Sequence, residues 1–400
     1  MRRISIQERR HGMVRRHHLT GDAADPESVT RSIVALHATD PASVYLSVLA
    51  RSAASTLGDV AEALYDRRSL VRWMAMRRTL FVFPREDVPA VQAAVSTPLA
   101  AALRRRLISQ LERNGSEPPV LGDTAEWIAD LEERVEQALA RRGTATGAQL
   151  RSDEPGLATV IPARAPSDRP QHVTTSLLTL MSADGRLVRG SRTGAWTSRH
   201  HRWEPVSRWW PAGLPVVDPA EAERELARRW LSRYGPATIE DLQWWTGWTK
   251  TTTARALSEL PVQGVDLHGR SGIDLIDEDA DDGHPDVPEP TATLLPALDP
   301  TPMGWKHREW FLGIAPGQLF DRAGNIGPTT WWDGEVVGSW AVTSNGDVRT
   351  VVLADRGNTA REAISQAAAS LQTRLDGAVV TPAARTPLER SLTADGPPAG

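Results

Sequence analysis

Cysteine is absent from this chain of 400 residues. That excludes disulfides, thiolate nucleophiles and any zinc or iron–sulfur centre held by cysteine. Lysine is nearly absent: Lys250 and Lys306 stand against 44 arginines, the 46 basic residues less two, so covalent catalysis through a side-chain amine has only two candidates. No stretch approaches 18 uninterrupted apolar residues, and no membrane-spanning helix is expected. The N-terminal MRRISIQERRHGMVRRHHL lacks the apolar core of a signal peptide, which points to an intracellular, cytoplasmic protein. Ten histidines remain as metal ligands. The pairs His17-His18 and His200-His201 are adjacent rather than four apart and no HExxH occurs, so neither a metal site nor a cofactor is expected.

What is present is a globular composition spread over a length too great for one core, so two to four domains are expected. The net charge of -4 hides an asymmetry. The segment DLIDEDADDGHPDVPEP, 274 to 290, holds eight acidic and no basic residues, leaving -4 + 8 = +4 for the remainder. A modest arginine excess over the folded body suits a phosphate-binding surface without demanding one.

Along the chain one recipe recurs. The first block, 1 to 115, has helical spacing in its opening segments, a helix in TLGDVAEALYDRRS, and two strands in LVRWMAMRRTLFVFP hinged near Met76 to Arg78. The second, 116 to 210, offers helices in TAEWIADLEERVEQALARRG and TATGAQLR, then a third helix and a basic hairpin between His172 and Trp203. The third, 211 to 280, repeats the order through RYGPATIEDLQWWTG and TKTTTARAL to strands VQGVDLHG and GIDLI. Three units of helix, helix, helix and hairpin predict a tandem winged-helix array. After an acidic linker, 281 to 290, the pattern changes. The turn pairs Gly324-Asn325, Asp333-Gly334 and Asn345-Gly346 at intervals of about ten residues predict a small antiparallel barrel or sheet in 291 to 400, with a helix in NTAREAISQAAASLQTRL and a loose tail.

One stretch concentrates chemistry: LHATDPASVYLSVLAR, 36 to 51. Val29, Ile33 and Leu36 are spaced as one helical face upstream, and Val44, Tyr45, Val48 and Leu49 repeat the pattern downstream. Asp40-Pro41 reads as the start of the second helix, an N-cap followed by a proline whose missing N–H would be orphaned anyway. His37, Ala38 and Thr39 then fall in a short junction where polar side chains escape the core. The plain alternative is a polar helix end and nothing more.

Taken together, LHATDPASVYLSVLAR, RWMAMRRTLFVFP, RYGPATIEDLQWWTG, LLPALDP, MGWKHRE and WWDGEVVGSW, in this order, resemble the AlkZ and YcaQ family of bacterial winged-helix DNA glycosylases over nearly the whole chain. The resemblance implies an α+β fold of three tandem winged helices and a small β-barrel around a DNA-binding channel, acting as a monomer on duplex DNA in the nucleoid. It implies hydrolysis of the N-glycosidic bond of alkylated purines, bulky adducts of DNA-damaging natural products included, in cells that often make the genotoxin themselves. The family's catalytic motif is glutamine, any residue, then glutamine or aspartate; His37 and Thr39 occupy its first and last positions. In the first hairpin, where relatives often carry RGTLH, this chain has Arg78 and Phe81.

On that basis His37 is the candidate to accept a proton from the attacking water, Thr39 to orient that water, and Asp40 to add negative charge near the developing sugar cation. Arg77, Arg78, Arg186, Arg189 and Arg192, on the first and second hairpins, are the candidates for phosphate contact, and Arg51 and Arg72 for bracing the site. Of fifteen tryptophans most are expected in the core; Trp73 and Trp196, beside arginine-bearing hairpins, are the candidates for base stacking. A winged-helix protein that binds DNA without catalysis, a regulator or damage sensor, is the alternative.

Overall fold

The computed structural model describes residues 1–163, 169–276, 288–382 and 385–393. It forms two compact units. One comprises Met1–Leu70, Val82–Pro84 and Arg224–Gly400; the other Val71–Phe81 and Arg85–Glu223.

In the first unit the helices begin where side chains can satisfy the orphan amides of a first turn. Ser5 and Glu8 form a reciprocal capping box on Ile6–Arg16, and Asp25 and Ser28 do the same for Pro26–Ser32. The second of these ends earlier than the apolar spacing predicts. Ile33 leaves the helix and Val34 lies at φ 63°, so Leu36 and His37 run extended as a short strand. That strand lies beside the strand Thr79–Pro84, whose last three residues belong to the same unit. Helix Pro41–Leu49 follows, buried at every position.

Later in this unit come helices Pro219–Tyr234 (its first residues lying across the unit boundary), Ile239–Thr246 and Lys250–Leu257, then the antiparallel strands Val262–Leu267 and Arg270–Leu275. Thr238 and Asp241 cap the second helix reciprocally, and Gly247 ends it in the left-handed region. The N-terminal Arg2–Arg3 adds a parallel third strand to this hairpin.

The strands Ala292–Leu295, Thr329–Trp332, Glu335–Val342 and Val348–Val352 form one antiparallel sheet in sequence order. The expected barrel is corrected here: among the described residues the sheet is open, its first and last strands unpaired with each other. The reason is the helix Asn358–Leu375, which packs on both of those strands and covers the face that closure would have enclosed. The tail is corrected too. Pro387–Thr393 is a helix that buries Leu388 and Leu392, one turn apart, whereas 394–400 lie outside the described residues. Most of the acidic linker, 277–287, is likewise outside them.

The strands Leu70–Ala75 and Thr79–Pro84, of which the second unit holds Val71–Phe81, are joined by a tight turn at Met76–Arg78, as the sequence predicts. The long helix Thr97–Asn114 comes next, then Thr124–Arg142, Gly147–Asp153 and Val173–Ala183, then the hairpin of Leu187–Arg192 and His201–Pro205. Thr124–Arg142 is capped by Asp123 and ends on Gly143 at φ 72°.

Candidate active site

Asp40 is the N-cap of Pro41–Leu49, its carboxylate accepting from the Ala42 amide at 3.2 Å. Thr39 is exposed. His37 is not, contrary to the expectation that the whole junction escapes the core: it is 8% exposed, because the strand Leu36–His37 carries it inward.

Behind this junction the helix is locked by a buried polar stripe. Ser43, Ser47 and Arg51 recur every four residues and so share one face. Ser43 Oγ donates to the Ala297 carbonyl at 2.6 Å, and Ser47 Oγ to Asp299 Oδ2 at 2.7 Å. Arg51, fully buried, donates to both Asp299 oxygens at 2.8 and 2.6 Å and to Thr301 Oγ1 at 2.7 Å. Thr301 hydrogen-bonds His17 Nδ1 at 2.8 Å, and His17 Nε2 meets the Arg233 carbonyl at 3.1 Å. That carbonyl can only accept, so Nε2 carries the proton and the Thr301 hydroxyl donates to Nδ1. Burial first, then the charges of Arg51 and Arg16, hold the His17 pKa well below the usual value, so the ring is neutral. Tyr234 and Trp305 complete the cluster: Trp305 Nε1 donates to the Tyr234 carbonyl at 3.0 Å, and Gly304 lies where a Cβ would come within 2.1 Å of the Tyr234 ring. Three regions far apart in the chain thus meet: 36–51, RYGP, and the neighbouring LLPALDP and MGW.

On its other side Asp40 lines a narrow pocket with Ser43, Pro296, Trp340, Val380 and Glu389. Glu389 is 2% exposed, and Arg385 approaches it only to 3.9 Å. Burial, with a further push from the Asp40 charge, raises its pKa to about 7.

The second unit holds the candidate arginines. Arg77 and Arg78 occupy the turn between its first two strands, exposed and both left-handed, at φ 53° and 60°. Side chains other than glycine rarely accept that conformation, and here two in succession do. Arg186 is already engaged, donating to Glu136 at 2.6 Å and Glu132 at 2.8 Å; it ties the second hairpin to helix Thr124–Arg142. Arg189 lies over the Trp203 ring, 5.4 Å from its centroid. Arg192 pairs with His201 through the backbone, and its side chain is outside the described residues. The stacking expectation for Trp73 is corrected: it is 1% exposed, donates from Nε1 to Gln92 Oε1 at 3.0 Å, and meets Trp210 edge-on, which makes it core. Trp196 is half-buried in the turn region of the second hairpin. Among the described residues no cluster of three or more His, Asp or Glu side chains suits a metal ion, and no helix is long and apolar enough to cross a membrane.

The model of the "DNA glycosylase AlkZ-like" family matches residues 30–374. The chain belongs to the AlkZ-like DNA glycosylase family. Among solved structures it is similar to the Streptomyces sahachiroi DNA glycosylase AlkZ, with a TM-score of 0.72 at 20% identity, covering 95% of this chain and 99% of that one. No curated protein matches it.

In this AlkZ-like chain sequence reasoning missed three groups. Ser43 and Ser47, which share a face with the candidate brace Arg51, were detectable, since polar residues four apart inside an otherwise apolar helix need buried partners. Asp299 carried a weaker signal, an acid within LLPALDP. Glu389 carried none, because its helix is short and set in Pro, Ala and Thr-rich sequence.

Proposed function

We propose that the chain is a monofunctional DNA glycosylase that hydrolyses the N-glycosidic bond of cationic alkylated purines, bulky N7-alkylguanine adducts of a genotoxic natural product foremost, and so protects the cell that makes the genotoxin. One observation supports this reading: His37 and Thr39, where the resemblance puts the family's catalytic motif, immediately precede a helix held in place by the buried hydrogen bonds of Ser43, Ser47 and Arg51. The segments 1 to 115, 116 to 210 and 211 to 280 each supply a winged helix whose hairpin faces duplex DNA, and the protein works as a monomer.

Alkylation at N7 makes the base cationic and a good leaving group. The base departs neutral with the bonding electron pair, and the enzyme has to place a water beneath C1′ and take its proton. His37 accepts that proton as the new C–O bond forms; Thr39, exposed at the mouth of the junction, orients the water. Asp40 adds negative charge near the sugar cation while capping the helix. Lys306 is paired with Glu240 at 2.9 Å, and Lys250 starts the helix Lys250–Leu257; neither lies in the motif, which favours hydrolysis over a Schiff-base lyase.

The test is release of free base from oligonucleotides carrying defined N7-alkylguanines under single turnover. His37→Ala should slow the chemical step by about 100-fold with affinity largely kept, and His37→Gln should recover part of the rate, because an amide still orients water. An unchanged rate in His37→Ala would remove His37 from the mechanism. The absence of both family glutamines favours a second reading, a binder without catalysis. Tight lesion binding without base release across a broad adduct panel would select it.

A further inference from the structure

The second unit contains an open cavity of about 510 Å³ between the helix Val173–Ala183 and the hairpin of Leu187–Arg192 and His201–Pro205. Thr146, Thr175, Arg189, Thr193, Arg199 and His201 are among the side chains lining it, and no aspartate or glutamate does. The guanidinium of Arg189 is half-buried against Trp203; its Nε has no hydrogen-bond partner, and among the described residues no carboxylate pairs with it. Arg202 of this hairpin, and Arg186 and Arg208 flanking it, are treated differently. Arg186 is held by Glu132 and Glu136, Arg202 donates to Thr144 Oγ1 at 3.0 Å, and Arg208 pairs with Glu204 at 3.1 Å.

A cation taken partly out of water without a counter-charge is costly, and native proteins keep such groups where a ligand completes them. Burial, then the nearby charge of Arg72, push the Arg189 pKa down to about 10, so it is still charged at neutral pH. His201, edge-on to Trp203 with centroids 4.9 Å apart, is pushed down to about 4 by burial and by Arg189, and is neutral there. The cavity's positive charge therefore comes from its arginines. The guanidinium fork matches phosphate oxygens, and the exposed Thr175 adds a hydroxyl at the mouth.

We infer that this cavity seats a backbone phosphate of duplex DNA, gripped by Arg189 between the helix Val173–Ala183 and the second hairpin. The inference rests on the reading of the chain as a protein that acts on DNA. An open groove bordered by a helix and a hairpin admits a continuous strand, which is why the backbone rather than a free phosphate is the assigned source.

The experiment measures binding of a lesion-free duplex by fluorescence anisotropy over a series of salt concentrations, for the wild type and Arg189→Gln. Losing one phosphate contact should weaken binding by about tenfold at low salt and reduce the slope of log K against log salt by about 0.9. Melting temperature should be equal or higher, since a half-buried cation without a counter-charge is removed; a merely structural arginine would lower it. Thr175→Glu, at an exposed position that cannot unfold the core, should weaken binding in the same way, and Arg361→Gln, on the helix Asn358–Leu375, should not. Inorganic phosphate, followed through tryptophan fluorescence, should bind only weakly. An unchanged salt slope in both Arg189→Gln and Thr175→Glu overturns the inference, as does tight capture of inorganic phosphate with unchanged duplex binding. If no adduct is excised but the slope still falls, the glycosylase reading fails and the phosphate site stands.

Discussion

Glu389→Gln tests whether the short C-terminal helix is coupled to the candidate site. The Glu389 carboxyl is 2% exposed and lines a pocket with Asp40, and burial followed by that neighbouring charge raises its folded pKa from 4.5 to about 7. A carboxylic acid whose pKa is raised by folding binds its proton more tightly in the native state. Its contribution to stability is then fully present below the unfolded pKa, declines as pH rises, and is gone once pH has passed the folded value. The rise from 4.5 to about 7 corresponds to about 3 kcal/mol, all of it lost between about pH 4.5 and 7. Glutamine imitates the protonated acid and cannot ionise. The variant should match the wild type near pH 4.5 and exceed it by up to about 3 kcal/mol at pH 8 in reversible denaturant unfolding, a difference that cancels the titration of every other group. A gap between variant and wild type that is the same at pH 5 and pH 8 would show that Glu389 does not titrate as its surroundings dictate, and would sever the argued coupling to Asp40.

Two further outcomes follow from the geometry. Arg51→Ala strands the Asp299 carboxylate in the core, and unfolding free energy should fall by about 3–5 kcal/mol; Asp299 and Arg51 replaced together by apolar residues should recover much of it, which a double-mutant cycle measures. Arg78→Gly relieves a left-handed arginine, so stability should hold or rise by up to about 1 kcal/mol while the salt slope of duplex binding falls by about 0.9; a loss of stability with an unchanged slope would make the turn arginine structural.

The parts of the molecule legible in the sequence are those with a local cause. Asp40-Pro41 announces a helix start because cap and first-turn chemistry lie within a few residues, and Gly143 announces an end for the same reason. The turn at Met76–Arg78 separates two apolar runs too short for helices, and it is where the strands divide. What failed depended on distant neighbours. Leu36 matches the helical spacing of Val29 and Ile33 but is drawn into a strand beside Thr79–Pro84, and Trp73 looks free to stack until Trp210 and Gln92 enclose it. The open sheet was misjudged because turn spacing reports strand number and not closure, which here is pre-empted by the helix Asn358–Leu375. In the candidate site burial was not legible: His37 is inside, Thr39 outside, and no local signal separates them.

That separation bears on how a chain of this family can carry histidine and threonine at the junction. The helix Pro41–Leu49 is held by Ser43 and Ser47 within it and by Arg51 just past its end, all on the side of Asp299, while His37 and Thr39 precede the helix and lie outside this lock. On the proposed mechanism, chemistry at the junction and placement of the junction are carried by different residues, and Asp40 takes part in both through its cap and its place beside Glu389. Replacing His37 and Thr39 together by glutamine should then leave unfolding free energy within about 1 kcal/mol of the wild type, because the hydrogen bonds of Ser43, Ser47 and Arg51 are all kept. Base release from cationic adducts should persist, since a pair of amides can hold the attacking water, and any change should fall on lesion preference rather than on duplex affinity. A double variant that loses several kcal/mol of stability would instead make the junction part of the scaffold, and the separation of roles along this helix would have to be abandoned.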